Sequence, residues 1–344
     1  MTPKQKNILQ AFEDYMNTAT LPSRSRAGVS EKTVSGYVHD VNDFLGWWKQ
    51  TEGEPLTVEY LRKDPFALNK KLIQDYVNHL EKKMEISTVL RKVSALRAFV
   101  KFLQATKTIE HEPMHGLRLP RKAEPEPRGL SDKQRSRFEA VFQKPWLDTT
   151  TKRKRTKEVE ENVIRDSENR LARDRAIVFL MLYAGPRVDE TFQLNIGDID
   201  LKEKSGRLHI RKGKGFKERH TAIPLPARKA LQEWIELRIK LGLEKSKDSP
   251  LFAALRGDSI GRRYSIRSMQ NMIAEAGIRA RIEEPVTPHI LRHTCAFMLR
   301  QAGVDIETRA KMLGHSIETA SKYGAPGESE IEKAASLLDH AEAA

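Results

Sequence analysis

The sequence predicts a mainly α protein of two domains, with a small antiparallel β-hairpin in the second. Three observations carry this. Apolar residues recur at helical spacing over three stretches within residues 1–118. A proline- and charge-rich segment, LPRKAEPEPRG at 119–129, interrupts that periodicity and reads as a semi-rigid linker. One alternating stretch, RLHIRKGKGFKERHTAIPL at 207–225, stands out in an otherwise helical remainder, 130–344.

Ser30 is placed to cap a helix over about 31–49, whose Val34, Tyr37, Val38, Val41, Phe44, Leu45 and Trp48 share one face. A second helix is expected over 68–82, with Leu72, Tyr76, Val77 and Leu80 inward. A third starts after Ser87 and buries Val89, Leu90, Val93, Leu96, Phe99, Val100 and Leu103. Its other face carries Arg91, Lys92, Arg97 and Lys101, which fits a phosphate-tracking surface and a merely solvated face equally well. Beyond the linker, helix signals open at Ser131 and again over 169–183. Between them a charged stretch, TTTKRKRTKEVEENVIRDSENR, reads as a surface insertion or an extended helix. Its Lys152–Arg155 run is simplest as a solvated loop, with a DNA contact or localisation signal as the alternatives. The hairpin turns at Gly213-Lys214-Gly215-Phe216, and helices follow it. The last of these, about 328–340, has the stripe Ile331, Ala334, Ala335 and Leu338.

At 344 residues the chain is long enough for two hydrophobic cores. No stretch approaches the roughly 20 apolar residues of a membrane helix. The opening MTPKQKNILQAFEDYM places acids in its first apolar stretch, unlike a secretory signal. Cys295 stands alone, which excludes an intrachain disulfide and a Cys-rich zinc module and makes a cytoplasmic location the expectation. The 61 Lys and Arg exceed the 47 Asp and Glu by 14, a balance that favours a polyanionic partner.

The polar residues of the second domain carry the chemistry. Arg187 follows Gly185-Pro186 at the end of an apolar helix, with Glu190 three residues on. Lys214 sits between two glycines. His289 and Arg292 share a helix face behind Pro288, His315 follows Leu313-Gly314, and Tyr323 comes eight residues later. Singly, each has a plain structural reading: a surface ion pair, a solvated turn, a helix cap, a packed tyrosine. Together they suit a phosphodiester. Arginine forks match phosphate oxygens and offset charge growing on phosphorus. Tyrosine is a weak nucleophile until a base or neighbouring cations activate it, and histidine and lysine move protons. No HExxH, GxxxxGK[ST] or carboxylate pair is present.

The motifs Gly185-Pro186-Arg187-Val188-Asp189-Glu190, Gly213-Lys214-Gly215-Phe216-Lys217-Glu218-Arg219, His289-Ile290-Leu291-Arg292-His293, Leu313-Gly314-His315 and Tyr323 occur in an order that resembles the tyrosine recombinase (phage integrase) family, its Xer-like and mobile-element integrase branches above all. The segments SEKTVSGYVHDVNDFLGWW and STVLRKVSALRAFVKFL resemble that family's helical, SAM-like core-binding domain. The resemblance implies a core-binding domain (1–118) and a catalytic domain (130–344) clamping duplex DNA. It implies a specific recombination site, and tetramers on two such sites with the helix at 328–340 docked in trans. Accessory proteins are a further implied class of partner; no membrane is involved. Tyr323 would form a 3′-phosphotyrosyl bond and free a 5′-hydroxyl, leading through a Holliday junction. Arg187 and Arg292 would hold the phosphate, with His315 hydrogen-bonding it. His289 would help activate Tyr323, Lys214 would protonate the leaving oxygen, and Glu190 would support the site. DNA contacts are expected from Arg91, Lys92, Arg97, Lys101, Lys217 and Arg219. No metal or other cofactor is implied.

Three features depart from the family pattern: the His315-to-Tyr323 interval is one residue short, Pro186 replaces a large apolar residue, and the charged 146–169 stretch is long. Cys295 fits a small buried side chain better than a redox role. The rival readings are a type IB topoisomerase or telomere-resolving enzyme with the same chemistry, and a non-catalytic DNA-binding relative.

Overall fold

The computed structural model describes residues 3–18, 31–121, 129–146, 157–211, 218–243, 246–314 and 317. The chain divides into two compact units, Met1–Glu124 and Pro125–Ala344. Among the described residues no helix is long and apolar enough to cross a membrane.

The first unit is helical: α1 (Pro3–Thr18), α2 (Glu31–Glu52), α3 (Val58–Lys63), α4 (Lys70–Glu81) and α5 (Ile86–Ala105). Its core is the apolar stripe of α2 meeting those of α4 and α5. Phe44, Trp48, Tyr76 and Phe99 are at most 2% exposed, and Phe44 meets Tyr76 edge-on at 5.0 Å. Thr57 and Asn69 cap α3 and α4 by accepting from the N–H groups of Tyr60 and Leu72. Two helices lie beyond the sequence expectation: α1, which buries the stripe Ile8, Leu9, Phe12 and Met16, and α3, a six-residue turn fixed by its cap.

The second unit is built on α7 (Lys157–Ala184), which packs against α9 (Leu225–Lys240), α10 (Ile266–Arg279) and α11 (Pro288–Gln301). Ile177, Val178, Leu180, Met181 and Leu182 of α7 are fully buried, and Trp234 closes the core from α9. Helix α6 (Asp132–Ala140) opens with a capping box between Ser131 and Gln134. The short α8 (Val188–Gln193) and α12 (Ile306–Leu313) complete the helices. Helix α7 begins twelve residues earlier than the periodicity places it. Its first turns are charged and carry no apolar stripe, and they resolve the choice between insertion and extended helix in favour of helix from Lys157 onward.

The β element is larger than a hairpin. Strands β1 (Ile199–Leu201), β2 (Gly206–Ile210) and β3 (Arg219–Ala222) form an antiparallel sheet in the order β1-β2-β3. Leu208 faces Thr221 and His209 faces His220. Strand β1 has only three residues, too few for a period-two signal. The mixed helical and small-sheet architecture follows the sequence expectation. Residues 122–128 of the expected linker, the Lys152–Arg155 run, residues 212–217 with the expected hairpin turn, and the expected helix at 328–340 lie outside the described residues.

Candidate active site

The second unit gathers its arginines around one buried carboxylate. Helix α7 ends at Ala184, and Gly185 turns the chain with φ +66°. A Cβ there would stand 2.4 Å from Cδ2 of Leu313 and 3.2 Å from Sγ of Cys295. Only glycine makes the turn and the close approach together. The turn delivers Arg187 to the cap position of α8, where its backbone N–H donates to Oε2 of Glu190 at 2.8 Å. Its Nη1 donates to Oε1 of the same residue at 2.9 Å.

Glu190 binds two further cations. Arg219, on β3, donates through Nη1 and Nη2 to the two carboxylate oxygens at 2.9 and 2.8 Å. Nη1 of Arg292, on α11, stands 4.0 Å from Oε2. The Glu190 side chain is 3% exposed. Burial alone would raise its pKa. The Arg219 hydrogen bonds, the Arg187 backbone N–H and the charges of both arginines outweigh burial and hold it at about 2. The three arginines exceed this one carboxylate by two positive charges, an excess suited to a bound anion.

Arg187 and Arg292 also converge on the end of α12. Nη2 of Arg187 donates to the carbonyl of Gly314 at 2.8 Å. Nη2 of Arg292 donates to the adjacent carbonyl, that of Leu313, and its Nη1 to that of Gly185. Arg292 is 1% exposed, and these acceptors with Glu190 supply the partners a buried charge requires. Gly314 ends α12 at φ +62°, and a Cβ would lie 2.8 Å from Cζ of Arg219. The backbone leading to His315 is therefore gripped by the same arginines that hold Glu190.

His289 sits one turn before Arg292, exposed, at the start of α11. Thr287 caps this helix, and Pro288 occupies its first turn. Partial loss of solvent, then the charges of Arg292 and Arg187, lower the His289 pKa and favour its neutral imidazole. His293 packs edge-on to it, with ring centroids 4.3 Å apart, and burial and then His289 and Arg292 lower its pKa to about 4. Cys295 is 1% exposed and burial pushes its thiol up to about 12, in keeping with a packing role.

The structure thus brings Arg187, Glu190 and Arg292 together, with His289 one turn away on the helix of Arg292. Lys214, Lys217, His315 and Tyr323 lie outside the described residues, as does the short interval between the last two. Two expectations need correction. Lys92 is on no exposed face: its side chain is 4% exposed, and its ammonium sits 2.5 Å from Asp43 and 3.3 Å from Asp40. A helix-period stripe seen in one dimension put it outside, and those two carboxylates of α2 drew it in. Arg219 is likewise on no exposed face: its side chain is 12% exposed and ties β3 to α8 through Glu190. Period-two alternation carried the signal for this, because Arg219 shares a face with buried Thr221. Arg91 pairs with Asp40 but is half exposed, and Arg97 and Lys101 are exposed on α5. Sequence reading also passed over Arg263. It donates to the carbonyls of Phe192 and Leu194 at 2.7 and 2.9 Å and so fixes the end of α8.

Residues 154–329 match the model of the phage integrase family, and residues 23–107 match that of the phage integrase N-terminal SAM-like domain. Among curated proteins, the chain is 30% identical to tyrosine recombinase XerC of Bacillus subtilis (strain 168) over 313 residues, which are 90% of this chain and 88% of that protein. It is 28% identical to tyrosine recombinase XerC of Syntrophus aciditrophicus (strain SB) over 92% of each chain. In fold it is similar to the XerH site-specific recombinase whose crystal structure is bound to difH substrate in a pre-cleavage complex. There the TM-score is 0.60 and the identity 18%, over 98% of each chain.

Proposed function

The chain belongs to the phage integrase family, and from that premise we propose that it is a site-specific recombinase that cuts and rejoins duplex DNA through Tyr323. The observation that carries this reading is the pair Arg187 and Arg292. Both are pinned to consecutive carbonyls at the end of α12 and share Glu190 as counter-charge. Fixed guanidinium groups of this kind hold a phosphodiester and take up the charge that grows on phosphorus during transfer.

In the proposed reaction the Tyr323 hydroxyl attacks the scissile phosphate. Neutral His289 takes its proton, a 3′-phosphotyrosyl bond forms, and the leaving 5′-oxygen accepts a proton from Lys214. His315 hydrogen-bonds the phosphate, and Glu190 holds Arg187 in place from below. A 5′-hydroxyl from the partner DNA then reverses the step, so the phosphotyrosyl linkage conserves the bond. Repeating the exchange on the second strand pair passes through a Holliday junction. We assign the first unit to DNA binding, with Arg91, Arg97 and Lys101 contacting the backbone, and Lys217 adding a contact from the second unit. Assembly is proposed as a tetramer on two sites, with the helix at 328–340 docked on a neighbour and the reaction taking place in the cytoplasm.

The test is strand exchange itself. Two labelled duplexes from the DNA flanking the gene are incubated with the protein, and recombinant joints are sought. Joints support the proposal. Relaxation of supercoiled DNA without joints favours the topoisomerase-like reading, and tight binding with neither favours a non-catalytic relative.

A further inference from the structure

The outer face of the sheet holds a cluster that the proposed strand transfer leaves unused. His209 on β2 and His220 on β3 are directly paired across the strands. Their rings stack with centroids 4.4 Å apart and planes 16° apart. Glu218 precedes His220 by two residues, so the strand period puts its side chain on the same face, and its carboxylate meets Nε2 of His209. One ligand atom from each of the three lies within 4.8 Å of the others. Leu208 and Ile210 point the opposite way, into the core, at 0% and 2% exposure. The histidines therefore lie on the face of the sheet away from the core.

Two imidazoles and a carboxylate are a donor set that Zn2+ accepts, with bonds of about 2.0–2.2 Å and a fourth position open to solvent. Drawing the three atoms onto one ion needs only rotation of partly exposed side chains. Nε2 of His209 already faces the Glu218 carboxylate, while Asp198, 4.0 Å from Nδ1 of His209, is held by Arg211 and by the backbone N–H of Asn195.

We propose that His209, Glu218 and His220 bind one divalent transition-metal ion, with Zn2+ the best match, and that the ion staples β2 to β3.

The test is titration of the full-length, chelator-stripped protein with Zn2+ in competition with a chromophoric chelator. One bound equivalent is expected, with Kd raised about tenfold or more in His220→Gln and in Glu218→Gln. Hydrogen exchange of the Gly206–Ala222 amides should slow on Zn2+ addition in the wild type and not in these variants. Metal-free urea melts should match the wild type, because both side chains lie on the exposed face. Failure of the wild type to bind Zn2+ overturns the proposal. So does wild-type affinity in the His209→Gln/His220→Gln double variant, and so does binding that is lost only with His293→Gln on α11.

Discussion

Glu190 and Arg219 are joined through both oxygens of the carboxylate and both terminal nitrogens of the guanidinium, at 2.9 and 2.8 Å, with the Glu190 side chain 3% exposed. The pair ties strand β3 to helix α8, the two elements that flank the candidate phosphate site.

This pairing makes stability depend on pH. The Glu190 carboxyl is held at about 2 against an ordinary 4.5. A depressed carboxyl contributes stability that is complete above its unfolded pKa and is lost as pH falls through its folded pKa. The shift corresponds to about 3 kcal/mol at pH 7. Urea melts of wild type and Glu190→Gln should therefore differ by about that much at pH 7, and the gap should narrow steadily from pH 4.5 towards pH 2. A gap constant over that range contradicts the assignment.

Gly185 and Gly303 separate backbone strain from steric clash. Both have positive φ, +66° and +74°, but nothing lies within 4 Å of a Cβ at Gly303, whereas Leu313 Cδ2 would lie 2.4 Å from one at Gly185. Gly303→Ala should cost about 1 kcal/mol in a urea melt. Gly185→Ala should cost about 1–3 kcal/mol more, the overpacking range. Equal costs would mean that the Leu313 side chain yields freely.

DNA binding should distinguish exposed from buried cations on α5. Arg97 and Lys101 are exposed, and replacing either with Ala should lower the slope of log K against log salt by about 0.9. Lys92→Met should leave that slope unchanged and instead alter the stability of the first unit, since Lys92 neutralises Asp40 and Asp43 from within. A slope that falls for Lys92→Met would restore it as a phosphate contact.

If Lys214 protonates the leaving 5′-oxygen, Lys214→Ala should slow cleavage by about 10²–10⁴-fold. DNA carrying a 5′-bridging sulfur at the scissile position should recover most of that loss, because a thiolate leaves without a proton. Absence of recovery assigns the lysine to DNA binding alone.

Much of this architecture is legible in the residues. The stripes of α2, α4 and α5 sit at helical spacing, Ser131 with Gln134 announces α6, and Thr287-Pro288 announces α11. The order of Arg187, Glu190, His289 and Arg292 along the chain was enough to nominate them together. Long-range pairing was not legible. Lys92 is buried by Asp40, 52 residues away, and Arg219 is drawn inward by Glu190, 29 residues away. Neither partner choice has a local signature. The cross-strand meeting of His209 and His220 likewise depends on a register that becomes fixed only once β2 and β3 pair.

The central claim is that Tyr323 makes the covalent bond to DNA. The most direct measurement incubates wild-type protein and Tyr323→Phe, without metal or ATP, with duplexes from the gene's flanks nicked beside candidate cleavage positions. Denaturing gels then report any protein–DNA adduct. An adduct with the wild type, absent with Tyr323→Phe although that variant binds the DNA equally well, is the expected result. An adduct of equal yield with Tyr323→Phe, or none with either despite tight binding, contradicts it.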